Sequence, residues 1–310
     1  THPTFSPQGD LSWLQMKRDG FEADKNDIIV RHKGLDINLT GGWDGTVDSF
    51  TWSADGKKVY FKNIRIQTKD LKPADFPSDV YIVNTNANGL TEEEKKAGYS
   101  LLFNGKDATG WRSARGGGFP QQGWKIENGI ISVQKSDGGE STNGGDIVTE
   151  KQYKAFDLSF DFKLTPGANS GVKYFVSTPY KTQRSGLGLE YQILDNEKHP
   201  DAKLGINGNR TLSSLYDIIT AKKLDPRFQQ KIGLWNQGKI IVHSNNVVEH
   251  WLNGFKVLEY TKDGPAYLEA IAKSKFAKNP DFAKVKVSPI LLQDHGDAVS
   301  YKNIKIRKID

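Results

Sequence analysis

The 310-residue chain contains no cysteine, so it has no disulfide framework, no thiolate nucleophile and no thiolate metal site. It has one methionine and no apolar run near the ~20 residues that a helical membrane span needs. A compact basic block interleaved with aromatics is also missing. The 43 Lys and Arg are dispersed among 37 Asp and Glu, so the net charge of +6 does not point to nucleic acid. No Gly-x-Ser-x-Gly sequence occurs, which excludes the nucleophile elbow of an α/β-hydrolase. What is plentiful is aromatic side chains and glycine (7 Trp, 11 Tyr, 15 Phe, 31 Gly), the mixture expected of short strands joined by tight turns.

One stretch organises the rest, Gly186 to His199. Leu189, Tyr191 and Ile193 alternate with Glu190, Gln192 and Leu194, so Glu190 and Gln192 share one face of a strand. A carboxylate and an amide two residues apart form either a solvated sheet face or the floor of a polar site.

Taken in order, residues 1–61 carry an internal repeat. Phe5 to Leu14 is echoed by Trp52 to Phe61 at an offset of 47 residues, each copy an aromatic strand end, an Asp/Gly turn and a new strand. A second echo links Val59-Tyr60-Phe61-Lys62-Asn63-Ile64-Arg65-Ile66 with Val299-Ser300-Tyr301-Lys302-Asn303-Ile304-Lys305-Ile306. Residues 62–98 read as a linker with one short helix, because Thr91 and Glu94 make a capping box. From residue 99 to 310 short strands dominate: Trp124–Val133 is a hairpin about Asn128-Gly129, and Phe156–Leu164 alternates over its whole length. Ala266–Lys284 is the single helical insert. The predicted fold is all-β, a two-sheet sandwich with one helical insert, preceded by a small β-rich segment.

Two resemblances follow from these motifs. Residues 1–61, with their Asp/Gly hairpins, resemble a β-propeller fragment of prolyl-oligopeptidase-type serine peptidases. A lone blade cannot bury its own faces, so an appendage is the expected role. Residues 100–308 resemble the 3-keto-disaccharide hydrolase family on motifs that occur in order. These are Leu102-Phe103-Asn104-Gly105-Lys106, Gly110-Trp111, Gly123-Trp124, Gly167-Ala168-Asn169-Ser170-Gly171, Glu190-Tyr191-Gln192-Ile193-Leu194-Asp195, Trp235-Asn236, His250-Trp251-Leu252-Asn253-Gly254 and Leu292-Gln293-Asp294-His295-Gly296. The resemblance implies a concanavalin-like jelly-roll and cleavage of 3-keto-glycosides. It also implies a bacterial protein of the periplasm or cell surface, and a sugar 3-dehydrogenase acting upstream. The other class that this fold hosts is a non-catalytic, lectin-like carbohydrate-binding module.

A ketone at C3 acidifies the C2 proton, so the site needs a base, a group to stabilise the enolate and an acid for the leaving oxygen. The expected catalytic residues are Glu190 and His295, with Lys173, mid-strand between Val172 and Tyr174, as the candidate enolate stabiliser. Gln192, Asn169, Tyr216, Trp235, His250 and Gln293 are the expected substrate contacts, Tyr216 as an acid or hydroxyl contact. Trp111, Trp124 and Trp235 are the candidates for stacking on a sugar face. No cofactor is required by these residues. Asp195 and His199 are the candidate ligands should a divalent metal ion bind, and Asp294 points away from His295 on a straight strand. The expected partner is an oligosaccharide or glycoside.

Overall fold

The computed structural model describes residues 3–16, 26–40, 45–47, 49–52, 59–62, 65–66, 89–136, 139–177, 186–224 and 230–309. The chain divides into two compact units, Thr1–Tyr81 and Ile82–Asp310.

In the first unit, strands β1 (Thr4–Phe5), β2 (Leu11–Met16), β3 (Asn26–His32) and β4 (Leu35–Asn38) form an antiparallel meander in that order. β5 (Gly45–Thr46) pairs with β8 (Arg65–Ile66), and β6 (Ser49–Trp52) with β7 (Val59–Lys62). Both copies of the first repeat close as hairpins, Phe5 opposite Leu11 and Trp52 opposite Val59, although residues 53–58 lie outside the described residues. The unit has a small core of its own: Leu14, Ile28, Val30 and Val47, with Phe50, Trp52 and Val59 packed against them. The buried Ser12 accepts the Trp52 indole N–H at 2.8 Å, so the apolar contact is tied by a polar one. Most of the linker, residues 67–88, and Asn63-Ile64 of the second echo also lie outside the described residues.

The second unit begins with α1 (Glu92–Lys96), capped as its sequence requires: Thr91 Oγ1 accepts from Glu94 N and Glu94 Oε2 accepts from Thr91 N. Two sheets then face each other. The smaller runs β10 (Trp111–Ser113), β13 (Ile147–Thr149), β20 (Leu291–Leu292), β15 (Asn169–Ser177), β16 (Leu187–Leu194). The larger runs β11 (Trp124–Glu127), β12 (Ile130–Val133), β21 (Val299–Lys308), β14 (Phe156–Leu164), β17 (Asn236–Val242), β18 (Val247–Leu252), β19 (Phe255–Thr261), with β9 (Ser100–Leu101) on β21. This is a concanavalin-like jelly-roll sandwich. Among the described residues no helix is long and apolar enough to cross a membrane.

The alternation read from the sequence sets the core. Phe156, Phe160 and Phe162 of β14 meet Tyr174 of β15 and Tyr191 of β16, with Phe160 and Tyr191 edge to face at 5.4 Å. Asn128 and Gly129 both take positive φ, the twist that a two-residue hairpin turn needs. The helical insert is shorter than the sequence suggested. Helix α2 covers Pro265–Lys273 and stops at Ser274, whose amide and hydroxyl both bond Ile271 O while its backbone turns extended. That early stop matters for the site.

Candidate active site

Strand β16 lies at the end of the smaller sheet, and parity sends Tyr191 inward and Glu190 and Gln192 outward. An uncovered face would be solvated, yet Glu190 is 6% exposed and Gln192 1%. The cover comes from segments distant in sequence. Residues 213–216 pair onto the free edge of β16, through Gln192 N to Ser214 O and Tyr216 N to Glu190 O, and so fix Tyr216 beside Glu190. Glu140, Gly186–Gly188, Lys275, Phe276, Gln293 and His295 complete the walls. The result is a cavity of about 270 Å³ that also takes in Asn169 and Lys173. That is near the lower end of the range of about 300–1,000 Å³ for ligand sites, the size of one sugar unit rather than a long chain.

At its floor, Glu190 and Lys173 are directly opposed on β16 and β15, with Lys173 Nζ 3.5 Å from Glu190 Oε2. The carboxylate occupies space that Gly171 leaves open: a Cβ there would lie 2.2 Å from Glu190 Oε1. Burial pushes the Glu190 carboxyl above the usual carboxylate range, and the Lys173 ammonium offsets part of that rise. Burial alone would lower Lys173, but the carboxylates of Glu190, Asp146 and Glu140 outweigh it and hold the ammonium above the usual lysine range. Lys173 also donates to Gly186 O at 3.2 Å. Behind it, Asp146 accepts from Gly186 N, Asp294 N and Ser141 Oγ, so this second carboxylate is built into the backbone.

The remaining wall groups leave acceptors and one ring nitrogen open. Asn169 Oδ1, Gln293 Oε1 and His295 Nδ1 are buried without a hydrogen-bond partner among the described residues. Orphaned buried polar atoms are costly, and a hydroxylated ligand is what would satisfy them. Gln293 Nε2 donates to Glu140 Oε1 at 2.8 Å, which fixes its amide. Gln192 has only marginal contacts, to Arg210 O at 3.5 Å and from Ile193 N at 3.2 Å. Tyr216 donates to Asp201 Oδ2 at 2.8 Å; burial and the carboxylates of Glu190 and Asp201 hold its phenol well above the ordinary range. In this arrangement it is a hydrogen-bonding group, its proton directed to Asp201.

Several expectations fail. His250 is in the core at 0% exposure, its Nδ1–H donating to Ser213 O at 2.8 Å and its Nε2 accepting from Tyr174 OH at 2.7 Å. Burial pushes it down to about 4, so it stays neutral. It shares inward parity with Val248 and Leu252 on β18 and does not line the cavity. Trp235 also lies away from the cavity, under Lys302 and Lys163 ammonium groups at 4.4 and 5.0 Å. Trp111 and Trp124 are buried, their indole N–H groups donating to Leu102 O and Gly145 O. Asp195 is a loop organiser that accepts from Gly167, Glu197 and Lys198 amides.

Asp294 plays the same kind of part, accepting from Gly144, Gly145 and Gly296 amides. The carboxylate beside His295 is instead Asp297, Oδ2 to Nδ1 3.9 Å. His199, His295 and Asp297 are the one trio among the described residues whose ligand atoms gather within 4.8 Å. Its donor chemistry fits a cation poorly. His199 Nδ1 accepts the Asp201 amide at 3.2 Å, so in the neutral ring Nε2 carries the proton and no lone pair. Burial and His295 favour that neutral form. Glu140, Lys275, Phe276 and Asp297 went unnoticed in the sequence. Only Asp297, two residues after His295, carried a local signal.

The comparisons place the second unit in a known family. A family model described as a 3-keto-alpha-glucoside-1,2-lyase-like domain matches residues 98–307. The 3-keto-disaccharide hydrolase of Bacteroides thetaiotaomicron is 35% identical over 234 residues, 69% of this chain and 79% of that protein. A crystallised Parabacteroides distasonis protein, named a candidate glycosyl hydrolase, is 32% identical with a TM-score of 0.63, covering 73% of this chain and 100% of that one. Separately, dipeptidyl-peptidase 5 of Aspergillus fumigatus is 36% identical over 61 residues, 18% of this chain, and the chain spans only 8% of that peptidase. Through residues 98–307 the chain belongs to the 3-keto-α-glucoside-1,2-lyase-like family, whose relatives process glycosides.

Proposed function

We propose that the protein cleaves 3-keto-glycosides by removing the C2 proton and expelling the C1 substituent. Glu190 is the base. Its carboxylate takes the C2 proton, the electron pair enters the ring as an enolate at C3, and re-formation of the ketone drives out the C1–O pair. His295 serves the leaving oxygen, and water added across the resulting C1–C2 double bond completes a net hydrolysis. No oxocarbenium ion forms, so the paired-carboxylate spacing of ordinary glycosidases does not apply. Lys173 keeps Glu190 ionised and aimed, and Asn169, Gln192 and Gln293 hold the sugar hydroxyls. A reaction that oxidises a sugar hydroxyl at C3 must supply the substrate.

The observation that carries this reading is the buried Glu190–Lys173 pair, set over Gly171 at the floor of a cavity whose wall acceptors lack partners. Proton abstraction needs a carboxylate held at the floor of a cavity beside a charge partner, which is the placement of Glu190 and Lys173. No step of this proposal runs through a metal ion. The test is to incubate the protein with matched glucosides and their 3-keto derivatives and to quantify aglycone. Release from the keto form alone is expected, and equal release from both, or binding without release, contradicts the reading.

A further inference from the structure

The cavity contains two ammonium groups in unlike states. Lys173 is buried, donates to Gly186 O, faces Glu190 and has Asp146 behind it. A cation so enclosed is committed before any substrate arrives. Lys275 is exposed at the cavity wall. Its Nζ donates to Tyr216 OH at 3.2 Å, and it makes no ion pair among the described residues. Two of its three N–H bonds remain for a ligand.

This ammonium is held in place. Helix α2 ends at Lys273, and the turn at Ser274 swings the next residues towards the cavity. The Lys275 amide is anchored to Asp217 Oδ2 at 2.7 Å, and Phe276 is stacked on Phe282 at 3.9 Å. The ammonium lies 4.3 Å from the centre of the Tyr216 ring and 5.3 Å from that of Phe276, aromatic faces that favour a cation. Tyr216 donates its own proton to Asp201, so a hydroxyl lone pair is what faces Lys275. Arg210 is shared by Asp201 and Asp217 at 2.6 Å each, so Lys275 balances the remaining carboxylate charge through space, with its N–H bonds tied up in no ion pair among the described residues.

We infer that Lys275 is the electrophile of the reaction, donating to the sugar C3 oxygen as it becomes an enolate oxygen, with Tyr216 as the residue that positions it. The assignment rests on the proposed C2 proton abstraction. In the step, the C2–H bond breaks and its proton passes to the Glu190 carboxylate. The C–H pair forms C2=C3, and the carbonyl π pair moves onto oxygen beside Lys275. When C3=O re-forms, C1=C2 is made and the C1–O pair leaves with the aglycone. Base and cation act on adjacent ring positions, consistent with Glu190 and Lys275 lining the same cavity. The role expected of Lys173 from its strand position moves to Lys275, and Lys173 becomes the partner that sets Glu190.

The test separates enolate formation from bond cleavage. 3-Keto-1,5-anhydroglucitol keeps the C2 proton and the C3 ketone but carries no aglycone at C1, only the ring oxygen, so proton abstraction is read as C2 exchange in D₂O by proton NMR. The wild type should exchange C2. Lys275→Met should slow exchange by about 10²-fold, the usual loss of one oxyanion donor, and Lys275→Arg should recover part of it. The Lys275→Met melting curve should match wild type, because the side chain is exposed. Exchange in Lys275→Met within about twofold of wild type, or an equal loss in Lys275→Arg, overturns the assignment while leaving the proposed reaction intact. No exchange in the wild type overturns both.

Discussion

Strands β14 and β16 carry the same kind of polar row, and only β16 faces the cavity. On β14 the row is Asp157, Ser159, Asp161 and Lys163; on β16 it is Glu190 and Gln192. Both rows are buried almost throughout. Over β14, cover comes from its own sheet: Arg307 and Lys239 stand 3.3 and 3.5 Å from Asp157, and Asn303 donates to Asp161 at 2.6 Å. Over β16, cover comes from loops and a helix end, which arch away and leave space. A buried polar row shows only that something covers it. Nor do orphaned atoms suffice, since Asp157 Oδ1 and Asp161 Oδ1 also lack hydrogen-bond partners; whether the row can act depends on whether its cover leaves space for a ligand, as it does over Glu190 and Gln192.

The sharpest way to break this comparison is Glu190→Gln. It keeps shape and removes the base, and should lower turnover of a 3-keto-glucoside by about 10³-fold, with folding checked by circular dichroism. Next is Gly171→Ala. The added methyl claims the space of Glu190 Oε1, so the carboxylate must move, and kcat should fall by about 10²-fold for a displacement near 1 Å. A rate unchanged in Gly171→Ala would show that the niche over residue 171 does not aim the carboxylate.

Lys173→Met tests the charge pairing through pH. Glu190 must be ionised to accept a proton, so kcat/KM rises with pH through its pKa, which burial already places above the ordinary carboxylate range. Lys173 opposes that rise, so its removal should move the acid limb to still higher pH. An unmoved limb would uncouple the pair. Chelation is a smaller test. EDTA should change turnover by less than about twofold, because His199 presents a proton where a ligand would need a lone pair. Loss restored by Mn²⁺ would make His295 a ligand and remove it from proton transfer.

The smallest effect lies on the other row. Burial pushes Asp161 up to about 6, opposed by the Asn303 hydrogen bond. A carboxyl raised in the folded state holds its proton more tightly there, so it costs stability as pH rises from its unfolded value towards 6. Asp161→Asn should therefore flatten that decline, gaining about 1 kcal/mol at pH 7.5 and nothing near pH 4, with turnover unchanged. Altered turnover would mean that β14 takes part in function after all.

The alternation of Glu190 with Tyr191, and of Asp157 with Leu158, told in advance which face each side chain takes, because strand geometry is local. The same rule applied to Val248, His250 and Leu252 places His250 in the core, and applied to Asn236, Gly238 and Ile240 puts Trp235 outside; the motif context drew both towards the site instead. Lys275 was not legible. Its place depends on where α2 stops, and that is fixed by Ser274 and by the distant Asp217, which no local pattern encodes. Gly171 is a similar case, since its small size has a purpose only once β15 and β16 are paired in register.

The most direct measurement is the fate of the C2 hydrogen. Cleavage of a 3-keto-glucoside in D₂O, quenched early and corrected for exchange without protein, should give a 3-keto sugar with deuterium at C2. Glu190→Gln should give almost no product. A cleaved sugar that retains its original C2 hydrogen, together with no primary isotope effect on cleavage when C2 carries deuterium, would mean direct displacement at C1 and would contradict the assignment of Glu190 as the base.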